Sequence, residues 1–306
     1  MRTTAICSGC GREFDVINMV DTISRKRGNR TIKMCRECAS RNLRYHAINE
    51  AILGTDKKNG VYCGIEFESS YSDDFARSTI FEYDFIPTHD CSLHSEGDGR
   101  RYGYDGNTCE YVSPLMKGLN KASKFALTCD YLVREGHLKV NESCGTHFHV
   151  SINSMKNERG SNSGRGSYMD MIRRFYHSLF IPLSEAIATD RQKAEKVFGR
   201  YFNSHYAKAI DRYARPENDR YLFINVLANN NIEFRLNRFT SGNQYQNLMK
   251  MEVKMVQTIV TNFCEHFNDD DFDRTRYENK TSYRKHKATV TANKLVKIYE
   301  DFSQEV

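Results

Sequence analysis

Three separated stretches of the chain alternate apolar and polar residues with a period of two. In GIEFE, Ile65 and Phe67 fall on one side of an extended chain and Glu66 and Glu68 on the other. In NIEFRL, Ile232, Phe234 and Leu236 oppose Glu233 and Arg235, and in CGTHFHV, Thr146, Phe148 and Val150 oppose His147 and His149. Each stretch predicts a strand that packs through one face and shows charge or imidazole on the other. VYCGIEFES, STIFEYDFI, CEYVS, GTHFHVSI, YLFINVL and NIEFRLN are the strand candidates. Apolar spacing near 3.6 residues predicts helices at about 116–135, 168–188, 190–213, 243–267 and 287–304. Helices after long stretches of antiparallel-type strands point to an α+β fold, an antiparallel sheet backed by helices.

The N-terminal fifth follows a different rule. Cys7-Ser8-Gly9-Cys10 is followed after 24 residues by Cys35-Arg36-Glu37-Cys38. Two C-x2-C knuckles so spaced supply four thiolates for a tetrahedral zinc ion, with a hairpin between them carrying SRKRGNR and Gly28-Asn29 at its turn. A short helix through Leu43, Ile48 and Leu53 and the linker TDKKNG complete the expected division, a zinc-ribbon-like module over 1–58 and a larger domain over 59–306.

Composition sharpens this picture in two places. Of ten cysteines, four form the knuckles and the others are scattered, which suits reduced thiols and metal binding. No run approaches the roughly 20 apolar residues of a membrane helix, and no signal-peptide pattern follows Met1, so a cytoplasmic protein without a membrane partner is expected. Residues 1–58 hold 12 Lys or Arg and 6 Asp or Glu, and the rest of the chain holds 33 of each, so the net charge of +6 sits in the first module. Arg25, Lys26, Arg27 and Arg30 make that module a candidate for contact with nucleic acid or an acidic protein, or simply a solvated basic unit.

If the three alternating strands lie side by side, one sheet face gathers Glu66, Glu68, His147, His149, Glu233 and Arg235. Carboxylates suit Mg²⁺ or Mn²⁺, imidazole suits Mn²⁺ or a phosphate contact, and a guanidinium pairs with phosphate oxygens. Such a face could hold a nucleoside triphosphate through bridging metals, or it could be an ordinary charged, wetted sheet face. A thiol hydrolase built on Cys144 and His147 is a further reading, against which the strand places these two residues on opposite sides. GSNSGRGS lacks the Gly-Lys-Ser/Thr ending of a phosphate loop and reads as a mobile loop within 157–167. His46, His89, His177 and His205 read as packing or surface residues, and the Met and aromatic stripe from Leu248 to Phe267 as helix core.

GIEFE, DCSLHSEG leading to CEYVSPL, CGTHFHV, RYLFINV and NIEFRLNR, in this order over about 60–242, resemble the amidoligase family. These are carboxylate-amine ligases related to the glutamine synthetase fold, found in phage and bacterial settings. The resemblance implies ATP, Mg²⁺ or Mn²⁺, and an acid and an amine as substrates, on a peptide or other macromolecule as well as free. It implies Glu66, Glu68 and Glu233 as metal ligands and His147, with His149 second, near nucleotide phosphate or metal. Arg235 would meet the transferred phosphoryl group, Glu110 metal or substrate, and Arg220 substrate or phosphate. Asp90 and Ser92 match the family's D-x-S, after which HSEGDGRRYGYDGN inserts extra residues. The competing function is a zinc-module binding protein whose larger domain is an inactive ligase-like scaffold.

Overall fold

The computed structural model describes residues 4–7, 11–16, 19–24, 30–35, 61–88, 93, 108–114, 116–151, 168–200, 202–204, 207–215, 221–227, 231–265, 276 and 278–305. Cys10, Cys38, Asp90, Ser92, Arg220, the expected helix through Leu43, the linker and the loop over 157–167 lie outside them, as do His46, His89 and His205. The described part is a mixed α/β protein with an antiparallel sheet, as the pattern predicts. Four strands come first: β1 (Thr4–Ile6), β2 (Glu13–Asp15), β3 (Met19–Ser24) and β4 (Arg30–Cys35). β1 pairs with β2, and β3 pairs with β4 from Met19↔Cys35 to Ser24↔Arg30, which is the hairpin expected between the knuckles.

The larger region contains β5 (Tyr62–Ser69), β6 (Tyr71–Ser72), α1 (Asp74–Phe81), β7 (Ile86–Thr88), β8 (Cys109–Val112), β9 (Met116–Lys117), α2 (Asn120–Arg134), β10 (Leu138–Lys139) and β11 (Thr146–Ser151). After it come α3 (Tyr168–Arg174), α4 (Tyr176–Thr189), α5 (Arg191–Phe198), β12 (Ile224–Val226), β13 (Asn231–Phe234), α6 (Gly242–Ile259), a π-helical turn (Val260–Cys264) and α7 (Lys280–Glu305). The main sheet runs β12-β13-β11-β5-β8-β7 with β9 also on β5, and every pairing is antiparallel. Its apolar face, including Ile65, Phe67, Phe148, Val150, Ile232 and Phe234, joins α2, α4 and α6 in one large core.

Several expected boundaries move, each for a local reason. STIFEYDFI is not a strand: Asp73 caps a helix by accepting from the Ala76 amide at 2.8 Å, and Ala76 and Ile80, four apart, are both fully buried. The chain turns at Asp84, whose φ is 62°, and only Ile86–Thr88 is extended. The helix expected over 190–213 stops at Phe198, because Gly199 adopts a left-handed φ of 68° where a Cβ would sit 2.4 Å from the Thr240 side chain. Met116–Lys117 pairs with β5 instead of opening α2, and Phe175, at φ −111°, divides the helix expected over 168–188. α7 begins at Lys280, seven residues before the apolar spacing suggested. YLFINVL yields strand only at Ile224–Val226. The Met stripe of α6 is core, with Leu248, Met249, Met255 and Val256 buried, and His177 is exposed, its Nε2 2.8 Å from the Ala214 carbonyl oxygen.

A carboxyl group is buried on the core side. Glu252 of α6 is 1% exposed, and its Oε1 accepts from Asn237 Nδ2 at 2.7 Å. Burial pushes its carboxyl well above the usual carboxylate range, opposed only by that hydrogen bond. The native state therefore keeps this proton to higher pH than the unfolded chain. Stability from the neutral acid is complete below the unfolded value and is lost as pH rises toward the native one, by about 1.4 kcal/mol per pH unit. Glu252→Gln keeps the acceptor and has no proton to lose. Urea unfolding between pH 5 and 8 should find this variant more stable than wild type, with a flatter pH dependence; equal slopes would show that Glu252 ionises normally.

Candidate functional site

The polar face of the main sheet is set by register. His147 lies opposite Glu66, His149 opposite Gly64 on one side and Glu233 on the other, and Asn225 opposite Glu233. Glu68 lies opposite Glu110, and Glu110 opposite Thr88. Because side chains alternate across a strand, these residues share one face. Glu66, Glu68, His147, His149, Glu233 and Arg235 are thus brought together as the alternation predicts. Glu110 is on the same face one strand further out, its Oε2 accepting from the Thr88 hydroxyl at 2.6 Å.

Within this set a tighter group stands out. One ligand atom each from Glu66, His149 and Glu233 lies within 4.8 Å of the others. His149 Nε2 is 3.5 Å from Glu66 Oε1 and 4.0 Å from Glu233 Oε1, and makes no hydrogen bond. Glu233 is held from both sides: Asn225 Nδ2 donates to Oε2 at 3.0 Å and Arg235 Nη1 to Oε1 at 2.5 Å. His147 occupies the centre of the face, with Nδ1 3.2 Å from Glu66 Oε2 and 3.7 Å from Glu233 Oε1, and Nε2 3.8 Å from Glu68 Oε1.

Charge in this buried place is strongly perturbed. Burial raises the Glu66 carboxyl, but the imidazoles of His149 and His147 outweigh it and hold that carboxyl well below its ordinary range. Burial likewise opposes ionisation of Glu233, and Arg235, His149 and His147 bring it below the usual value. For His149, burial disfavours the cation while Glu66 and Glu233 favour it more, so its value is raised. A buried imidazole nitrogen between two carboxylates is a place where positive charge is favoured, whether a proton on Nε2 or a metal ion. The donor set, two carboxylates and one imidazole, could hold a divalent metal ion.

Glu68 takes a different position from its neighbour Glu66. Its Oε2 accepts from the Gly145 amide, a contact that ties β5 to the entry of β11. Beside it stands Arg200, 4% exposed, whose Nη2 donates to the Cys144 carbonyl at 2.5 Å. A Cβ at Gly145 would lie 2.7 Å from His147 Nε2, 3.1 Å from Glu68 Oε2 and 3.2 Å from Arg200 Nη1, so only glycine leaves room for the three. Arg200, Gly145, Asn225 and Asn231 escape the sequence reading. The period of two could have found Asn231, two residues before Glu233, whereas nothing periodic marks Arg200.

Cys144 lies outside the strand that begins at Thr146. Burial raises its thiol to about 11, and the sulfur donates to Asn141 Oδ1 at 3.5 Å. It is a protonated packing group, which removes the basis for a thiol nucleophile.

Val112 and Ile86 also point to the polar face, in register with Glu66 and with each other. They are buried by Cys7, Met19, Met34 and Cys35, with Phe14 and Phe81 packed around them. The N-terminal strands therefore adjoin the site. The Cys35 amide donates to Cys7 Sγ at 3.1 Å, a contact that metal-bound thiolates commonly accept. Among the described residues no helix is long and apolar enough to cross a membrane. Neither a scan against protein-family models nor a search of the curated proteins found a match to this chain.

Proposed function

We propose that the protein is an ATP-dependent carbon-nitrogen ligase that joins a carboxylate to an amine through an acyl phosphate, on a sheet of glutamine synthetase type with an N-terminal zinc ribbon. The observation that carries this reading is the convergence of Glu66, His149 and Glu233 within 4.8 Å on a buried sheet face, with Arg235 bonded to Glu233. The resemblance to the amidoligase family, carried by these same strands, supplies the reaction class. Glu66, His149 and Glu233 would hold Mg²⁺ or Mn²⁺, with Glu68 beside them, as the resemblance implies, and Glu110 one strand further out. When bound, the metal neutralises phosphate oxygens. Cys7, Cys10, Cys35 and Cys38 would hold structural zinc.

A carboxylate cannot condense with an amine unaided, because its oxygen is a poor leaving group. In the proposed reaction a carboxylate oxygen of the acid attacks the γ-phosphorus and the bond to ADP breaks, its electron pair leaving with ADP. A neutral amine then attacks the acyl carbon, phosphate departs and the amine nitrogen loses a proton. Arg235 keeps its positive charge and faces Glu233, placing a guanidinium where negative charge on the moving phosphoryl group needs it. His147, among Glu66, Glu68 and Glu233, positions phosphate or carboxylate oxygens by donating a hydrogen bond. ADP release by the full chain with Mg²⁺ or Mn²⁺, on addition of an acid and an amine together, is the test. Absence of ADP release across a broad panel, peptides included, would sink the reading.

A second role is favoured by the β3–β4 hairpin, whose connecting residues 25–29 include Arg25, Lys26 and Arg27, in a module of net charge +6. Binding of the full chain to nucleic acid is expected to weaken steeply as salt rises from 50 to 200 mM, by about 10³-fold or more if six phosphates are neutralised. Salt-insensitive binding, or none at low salt, would count against nucleic acid as the partner of the hairpin.

A further inference from the structure

The two nitrogens of His149 have unequal surroundings. Nε2 faces Glu66 and Glu233, whereas Nδ1 lies 3.4 Å from Oδ1 of Asn231. Asn231 opens β13 two residues before Glu233, pairs across to Ser151, and is fully buried. An amide oxygen only accepts, so in this pairing Nδ1 carries a proton, and Nε2, which faces the two carboxylates, is the nitrogen that a metal cation can take in place of a proton. A metal ligand of this kind commonly donates its other ring N–H to a neighbouring acceptor, which fixes the tautomer and the ring orientation.

We propose that Asn231 is a positioning residue for the metal centre: through its hydrogen bond to Nδ1 it commits His149 to bind the cation through Nε2. The inference rests on the ligase reading of that centre and adds to it a reason for exchangeable metal. A carboxylate in this place would make the imidazole a stronger donor. The neutral amide leaves it a moderate one, suited to Mn²⁺ or Mg²⁺ that accompanies a nucleotide in and out. Glu233 has a parallel neutral partner in Asn225. Both ligands are thus oriented without adding negative charge to a face that already holds Glu66, Glu68 and Glu110.

The test is Mn²⁺ titration of the full chain, read by loss of the free-ion paramagnetic signal. Mn²⁺ favours oxygen and nitrogen donors, so the N-terminal thiolates compete little. Asn231→Leu is expected to weaken Mn²⁺ binding by about 10- to 100-fold. Asn231→Asp, nearly isosteric, retains the acceptor and is expected to bind at least as tightly as wild type, which separates lost positioning from lost folding. Wild-type affinity in the Leu variant would overturn the role of Asn231 and leave the centre standing. Tighter binding in the Leu variant would also overturn it, by showing that the amide nitrogen donates to a bare Nδ1 and keeps the proton on Nε2. Failure of the wild-type chain to bind Mn²⁺ would overturn the inference and the metal-centre reading together.

Discussion

Glu233→Gln is expected to abolish the rise in melting temperature that ATP gives with Mg²⁺ or Mn²⁺. Ligand at 100 times its dissociation constant stabilises a native state by about 2.7 kcal/mol, and the variant should forfeit nearly all of it. The reason lies in how Glu233 is bonded. Its two oxygens accept from Asn225 and Arg235, both donors, while Oε1 also faces His149. A glutamine must turn its NH₂ toward one of those donors, so the substitution removes a charge and sets donor against donor. Amide formation should fall by about 10²-fold or more, as when an electrostatic stabiliser of a reacting phosphoryl or acyl group is removed. Thermal scans with metal alone, with ATP alone and with both separate the outcomes. A metal-dependent ATP shift that survives in Glu233→Gln would move the nucleotide off this face, and ADP release that survives would remove Glu233 from the reaction.

The charged face was legible because period-two alternation assigns each residue to a side of its strand whatever the partner strand is. Ile65 and Phe67 had to enter the core, so Glu66 and Glu68 had to share the other side. The choice of ligands was not legible. Glu66 and Glu68 have the same parity, and so do His147 and His149; only the register of β11 against β5 and β13 puts His149 beside Glu233 and leaves Glu68 at the Gly145 amide. Register is a tertiary property decided by packing. The misread elements have a common cause in single residues that outweigh a run: the Asp73 cap makes STIFEYDFI begin as a helix end, and left-handed Gly199 stops a helix whose apolar spacing continues. That same stop turns the chain at Arg200, so the residue the sequence reading passed over is placed in the site by the glycine it also passed over.

Arg200 gives the second large expected effect. Its guanidinium is buried, which lowers its pKa, and Glu68 draws it back up against the like charges of Arg235 and Arg238. It donates to the Cys144 carbonyl, and both it and Glu68 crowd the space at Gly145. Arg200→Ala would leave Glu68, 5% exposed, without this cation and the Cys144 carbonyl without this donor. Arg200 and Glu68 interact through charge without a direct ion pair, and Glu68 keeps the Gly145 amide, so the expected cost lies below the roughly 3–5 kcal/mol of a broken buried salt bridge. Urea unfolding should show that loss. If the cost is the Glu68 carboxylate left without the neighbouring guanidinium, Glu68→Gln combined with Arg200→Met should recover much of it, since removing both buried charges can be nearly neutral. A double variant no more stable than Arg200→Ala would place the cost in the Cys144 carbonyl and the packing of the 144–145 turn. Either result bears on the site, because the Gly145 amide held by Glu68 leads directly into the strand that carries both histidines. Loosening that turn should reduce metal-dependent ATP stabilisation even under conditions where Arg200→Ala remains folded.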